Sequence, residues 1–320
     1  MGTRGASFMI RLITAMLLLL SIQIISASNE VPDFGANPGE LKMFLYLPDK
    51  MEKETPLVVL LHGCLQEAQT FSKESGWLDY AKKYNFALLI PGQQKANNGA
   101  NCFNWFLEDD IKRESGETAS LFNMMTHLLK NYSIDKKKVF ISGFSAGASM
   151  TGVMLANYPK LFSAGAIVAG VPFGCASSTI RGLTCMAGLV RKSAKKWASF
   201  IREISSNQKS FPRISIWSGS KDRIVNSSNS DQILKQWLNL HFSFADSQMI
   251  EKLTEEELFE KRSYTRKNDV VVEYYKIKNY PHGQPIFTGK DDKNCGAESR
   301  FVIEAGICAA YHQAKFFKLF

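Results

Sequence analysis

Three features of the sequence predict an α/β protein whose mostly parallel central sheet is flanked by helices. Short apolar runs alternate with longer segments of helical period along most of the chain, the pattern of strands joined by crossover helices. At 320 residues, 45% hydrophobic and 22% charged, the chain can bury a full core and lies far from disordered, collagenous or coiled-coil compositions. No repeat and no Pro-, Gly- or Ser-rich linker divides it, so a single domain is expected.

The elements are expected in the following order. LKMFLYL at 41–47 opens the sheet, and PLVVLL at 56–61 is an unbroken apolar run, as a strand covered on both faces requires. A helix over 71–84 leads to the strand FALLIP at 86–91, and a helix over 114–132 leads to KVFIS at 138–142. A helix at 146–157 and strands at 164–169 and 213–217 follow, then a helix at 230–241, a strand at 270–277 and a last helix over 298–319. Residues 172–210, with the basic amphipathic piece RKSAKKWASFI, and the polar stretch 242–268 fit this alternation poorly. Both read as insertions over or beside the sheet.

Arg4 and Arg11 precede the apolar run LITAMLLLLSIQII at 12–25, and Ser26-Ala27-Ser28 place small residues where a signal peptidase reads. A secretory signal peptide over 1–28 is therefore expected, with the domain at 29–320 and the protein periplasmic or extracellular. An uncleaved anchor is the rival reading, but Thr14, Ser21 and Gln23 interrupt a run already short of the roughly 20 residues a bilayer needs. No membrane span is expected after cleavage. The net charge of +9 is spread along the chain and carries little weight for an acidic partner; nucleic acid is not expected.

Export changes the meaning of the six cysteines, because an even number in an oxidising compartment implies disulfides. Proximity in sequence pairs Cys175 with Cys185 and Cys295 with Cys308, leaving Cys64 with Cys102. No CxxC spacing and no nearby histidine cluster points to a metal.

The chemistry is carried by GFSAG at 143–147, a GxSxG lying between a buried strand and a helix-forming stretch. That context suits a nucleophile elbow, with Ser145 projected above the sheet. A serine needs a base and a group to orient it, expected downstream in the order Ser, Asp, His. Of the later histidines, His241 and His312 fall in helices, whereas His282 lies in NYPHG at 279–283, directly after the last strand. Asp222 follows the strand at 213–217 and is the expected acid, with Asp231, at the start of the next helix, as its rival. The oxyanion hole is expected from the backbone N–H of Ala146 and that of Cys64, in the loop LHGC at 61–64. His62 precedes the serine in that loop and is assigned a structural role. A Cys64–Cys102 bridge would stiffen the loop and bring Trp105 to the mouth of the site as a substrate-binding residue. Trp77, Trp105 and Trp217 read equally well as core.

The motifs FGANPGELKMFLYLP at 34–48, PLVVLLHGCLQ at 56–66, GW at 76–77, NNGANCFNWF at 97–106, GE at 116–117, VFISGFSAGASMTGVMLANYP at 139–159, AGVPFGCA at 169–176 and HGQP at 282–285 together resemble one family. It is the secreted poly(3-hydroxybutyrate) depolymerase-like esterases, relatives of feruloyl and acetylxylan esterases within the α/β-hydrolases. The resemblance spans nearly the whole chain after the leader and implies the α/β-hydrolase fold and a serine esterase using Ser145, Asp222 and His282 without metal or cofactor. The substrate it implies is an ester, foremost 3-hydroxyalkanoate polymers or oligomers. Where such proteins often carry Gly-Leu-Ser-Ala-Gly-Gly, this sequence has Phe144 and Ala148, changes that bear on the pocket. The sequence ends at Phe320 with no polymer-binding module after the core, so action on crystalline granules is not expected. A carbohydrate esterase that removes ferulate or acetate is the alternative. A non-catalytic polyanion binder using the basic segment 191–196 is the reading from another class.

Overall fold

The computed structural model describes residues 28–243 and 248–320. A ten-stranded sheet forms its centre, built from β1 (Asn29–Glu30), β2 (Lys42–Tyr46), β3 (Thr55–Leu61), β4 (Ala87–Gly92), β5 (Ile134–Phe144), β6 (Ala164–Val168), β7 (Arg213–Gly219), β8 (Ile250–Glu255), β9 (Phe259–Arg266) and β10 (Asp269–Ile277). Their spatial order is β1-β2-β4-β3-β5-β6-β7-β10-β9-β8. The middle of the sheet, from β4 to β10, is parallel, and antiparallel strands extend it on both sides.

Nine helices complete the described residues: α1 (Ala68–Glu74), α2 (Trp77–Tyr84), α3 (Glu108–Ile111), α4 (Gly116–Asn131), α5 (Ala146–Asn157), α6 (Thr179–Met186), α7 (Ala194–Ile204), α8 (Ser228–Phe242) and α9 (Ala309–Phe317). They build two cores, one on each face of the sheet. Leu121, Met150, Trp197 and Trp237 bring α4, α5, α7 and α8 to one face, while Phe71, Trp77 and Phe317 bring α1, α2 and α9 to the other. Every residue of α5 is buried. A short parallel pair, β11 (Gln284–Ile286) and β12 (Val302–Glu304), lies apart from the main sheet.

Register is what prepares the site. Leu61 of β3 pairs with Gly143 of β5, Phe144 with Val168 of β6, Val168 with Trp217 of β7, and Gly219 with Ile277 of β10. The carboxyl ends of these strands are therefore level, and the loops that follow them share one end of the sheet, where open α/β sheets bind ligands.

Several expectations need correction. The helix expected over 71–84 is two helices, because Gly76 takes φ +82° between them and a Cβ there would press on Cys295 Cβ at 2.6 Å. The last helix begins only at Ala309; the segment before it carries β12 and turns with positive φ at Phe301 and Gly306. The polar 242–268 stretch, as far as it is described, supplies β8 and β9 to the sheet edge. Residues 172–210 supply α6 and α7, and α7 packs against α8, with Trp197 Nε1 donating to Gln232 Oε1 at 2.9 Å.

The expected leader lies outside the described residues except for Ser28, whose carbonyl and hydroxyl accept from Gln69 Nε2 at 2.7 and 3.0 Å. Among the described residues no helix is long and apolar enough to cross a membrane.

Candidate active site

Between β5 and α5 the chain turns sharply at Ser145, which takes φ +55° and ψ −116°, a conformation that non-glycine residues adopt only when their surroundings enforce it. Here the enforcement is visible. The Ser145 N–H donates to Val168 O at 2.9 Å, tying the turn to the end of β6. A Cβ on Gly143 would collide with the carbonyl of Gly147, and one on Gly147 with the carbonyl of Leu61. Both glycines are thus required for the turn to close and for the end of β3 to lie beside it.

His282 Nε2 stands 2.9 Å from Ser145 Oγ, and His282 Nδ1 stands 2.7 Å from Asp222 Oδ2. All three residues are buried to within a few per cent of their surface. Asp222 Oδ1 also accepts the N–H groups of Ile224 and Val225, both at 2.9 Å. With its carboxylate held by these donors, Asp222 accepts the Nδ1 proton, which leaves Nε2 as the acceptor for the serine hydroxyl. The two loops are joined by backbone: Lys221 N donates to Tyr280 O and Ser220 N to Ile277 O, each at 2.9 Å. The His282 ring lies between Phe144, 5.0 Å away, and Phe301, edge-on at 5.9 Å. Phe144 therefore backs the imidazole.

Asp231 is elsewhere. Its Oδ1 accepts from Tyr274 Oη at 3.2 Å, while the His282 ring nitrogens bond to Asp222 and Ser145. His241 is buried and His312 half-buried in their helices, and burial lowers the pKa of each to about 4. Trp77 and Trp217 are fully buried. Trp105 is 7% exposed, packs edge-on against Phe106, and lines a small cleft with Ser149 and Val171, one helical turn from Ser145.

The loop at 61–64 is locked in place by His62. Its Nδ1–H donates to Gly63 O at 2.8 Å, and its Nε2 accepts from Gln93 N at 3.1 Å. Burial lowers the ring's pKa to about 4, so it stays neutral and suits both bonds. In a trans peptide the N–H points opposite to the C=O, so fixing the Gly63 carbonyl on His62 turns the Cys64 N–H away from it. That N–H has no acceptor among the described residues. The Ala146 N–H belongs to the first residue of α5 and has no partner within its own helix. Gly63 N donates to Gln66 Oε1 at 2.8 Å, and the Cys64–Cys102 bridge and Leu65 N to Ala100 O, 2.7 Å, hold the loop from the other side. The remaining cysteines form Cys175–Cys185 and Cys295–Cys308.

Sequence reading missed Gln66, Gln93 and Glu117 as parts of this framework. Gln66 and Gln93 carry no pattern of their own. Glu117 was visible in the GE pair but looks like any acidic residue in a helix's first turn.

Residues 41–258 match the family model described as esterase PHB depolymerase. This chain belongs to that family. Among curated relatives, poly(3-hydroxyalkanoate) depolymerase C of Paucimonas lemoignei is 36% identical over 304 residues, covering 94% of this chain and 72% of its own. Feruloyl esterase B of Talaromyces funiculosus is 28% identical over 242 residues, covering 72% of this chain and 67% of its own. An acetyl xylan esterase from Aspergillus awamori superposes with a TM-score of 0.75 at 23% identity, covering 92% of this chain and all of that one, a likeness of fold. This member of the esterase PHB depolymerase family is a carboxylic ester hydrolase with the α/β-hydrolase fold. The non-catalytic alternative is thereby set aside, and in the basic 191–196 segment Lys192 lies over Trp197 at 5.7 Å and Lys196 over Phe200 at 4.7 Å.

Proposed function

We propose that this esterase hydrolyses 3-hydroxyalkanoate polyesters or their oligomers through an acyl-enzyme, with Ser145 as nucleophile, His282 as base and Asp222 as its orienting acid. The observation that carries the substrate is the 36% identity to a poly(3-hydroxyalkanoate) depolymerase across 94% of the chain. The distances among the three side chains support their roles.

In this reading His282 Nε2 takes the Ser145 proton as Oγ bonds to the ester carbonyl carbon. The carbonyl oxygen becomes an oxyanion and accepts from Cys64 N–H and Ala146 N–H, two backbone donors of the kind that stabilise such a charge. As the tetrahedral centre collapses, the ester C–O bond breaks and the departing alkoxide takes the proton from His282. Water then loses a proton to His282 and attacks the acyl carbonyl, and Ser145 leaves with that proton.

Secretion is part of the proposal. The basic and apolar run at 4–25 and the three disulfides support it.

The test is to give residues 29–320, beside a Ser145→Ala control, amorphous poly(3-hydroxybutyrate) and feruloylated, acetylated xylan in parallel. Hydroxybutyrate released by the active protein alone is the expected result. Release of ferulate or acetate instead overturns the polyester substrate in favour of a carbohydrate esterase.

A further inference from the structure

Glu117, in the first turn of α4, is a buried carboxyl group that the triad does not use. Among the described residues no Lys or Arg acts on it and the Asp110 carboxylate stands nearby, and a buried carboxyl without a cation is costly unless its oxygens are satisfied. They are satisfied by one loop. Glu117 Oε1 accepts from Gln93 Nε2 at 2.5 Å and from Asn97 Nδ2 at 3.4 Å, and Oε2 accepts from the Asn104 N–H at 2.9 Å.

That loop reaches the oxyanion peptide by two routes, and both begin at Gln93. Its backbone N–H donates to His62 Nε2, whose Nδ1–H holds Gly63 O. Its side chain also donates to Cys102 O at 3.0 Å, and Cys102 is bridged to Cys64. The peptide that presents the Cys64 N–H is thus held at its carbonyl by one route and at the Cys64 side chain by the other. Neither route touches Ser145, Asp222 or His282. The bond at Asn104 N sits one residue before Trp105, so the same carboxyl also fixes the wall of the cleft.

We infer that Glu117 is a positioning residue for ester hydrolysis, which anchors the 93–104 loop and through Gln93, His62 and Cys102 aims the Cys64 N–H at the oxyanion. This rests on the proposed roles of Ser145 and of the Cys64 N–H. The geometric demand is strict, since an oxyanion donor works only when about 3 Å from the oxygen that becomes charged. A loop released from its anchor loses that aim while the triad stays assembled.

The experiment measures kcat and KM on p-nitrophenyl butyrate for Glu117→Gln and for Gln93→Ala, each normalised to active sites titrated with a phosphonate that labels Ser145. It also measures the affinity of each for a boronic acid whose tetrahedral adduct fills the oxyanion hole. Glutamine keeps the shape but replaces one acceptor oxygen with a donor, whereas Gln93→Ala removes the side-chain bonds to Glu117 and Cys102, leaves the backbone N–H on His62, and substitutes nothing in α4. Expected are kcat values about 10- to 100-fold lower per titrated site, less than the loss on deleting a donor outright, KM within about threefold, and boronate binding weakened in step. If Glu117→Gln does not fold, Gln93→Ala decides the matter alone. Fewer active sites with parental kcat per site would make the role structural only and overturn the inference. Failure of the underlying reading would show differently, as full activity in Ser145→Ala.

Discussion

His282 Nε2 and Ser145 Oγ, separated by 137 residues of sequence, stand 2.9 Å apart because the strands that carry their loops end level at one side of the sheet. The serine is held in a strained turn and the imidazole between two phenylalanines, so little motion is needed to bring them into line. Such preorganisation makes the consequences of single substitutions sharp.

Ser145→Ala is expected to lower kcat on p-nitrophenyl butyrate by ~10⁴-fold or more, since losing the nucleophile leaves only oxyanion-hole and binding catalysis. Circular dichroism should show the fold retained. Parental rates in the variant would end the assignment.

Asp222→Asn removes the charge that stabilises the imidazolium and allows the wrong tautomer, so kcat should fall ~10⁴-fold. Asp231→Asn alters one bond to Tyr274 and should change kcat less than about threefold. The measurement is steady-state kinetics on both, and a reversed order would transfer the acid to Asp231.

The Cys64–Cys102 bridge closes a loop with a sequence separation of 38, worth about 4 kcal/mol in the chain-entropy model. Opening it in Cys102→Ser should therefore lower the denaturation midpoint and, because it releases one hold on the oxyanion loop, also lower kcat per folded molecule. Chemical denaturation paired with active-site titration separates the two effects. A loss of stability with kcat intact would show that the bridge serves the fold alone.

Buried titratable groups give the pH dependence of stability a definite shape. Burial, with Asp110 nearby, raises Glu117 from its ordinary 4.5 to about 8, although Asn104, Gln93 and Asn97 pull it down. Between those values the folded chain keeps a proton that the unfolded chain has released, so stability falls as pH rises from about 4.5 to about 8. His62, His241 and His312, lowered to about 4, act in the opposite sense, and their contribution is lost as pH drops from 6.5 to about 4. Three histidines outweigh one carboxyl on the acid side, their contribution fades as the unfolded imidazoles finish losing their protons above about pH 7, and Glu117 dominates beyond that. Urea unfolding should therefore show a maximum near pH 7 and a fall of about 0.5–1 kcal/mol by pH 8. Glu117→Gln should flatten that fall, and a parental profile that rises from about pH 7 to 8 contradicts the assignment.

How much of this was legible depended on the range of the interactions. The elbow was readable because its signal is local: two glycines and a serine between an apolar run and a helix-forming stretch describe one turn. Asp222 and His282 were readable as candidates because each directly follows a strand. β8 and β9 were not, since exposed edge strands such as IEKLTE carry charge on both faces and lack an apolar alternation. The break at Gly76 depends on Cys295, far away in sequence.

By itself, then, the sequence determined the alternating architecture, the position of the candidate nucleophile and a short set of candidates for its partners, all of which follow from hydrophobic period and turn chemistry within a few residues. Only the tertiary structure set Asp222 rather than Asp231 against His282, gave His62 its hold on the Gly63 carbonyl, and joined Glu117 to the loop that carries Cys64. Those decisions turn on hydrogen-bond distances between segments that lie far apart in the chain. They come into existence only when strand register levels the loops at one end of the sheet.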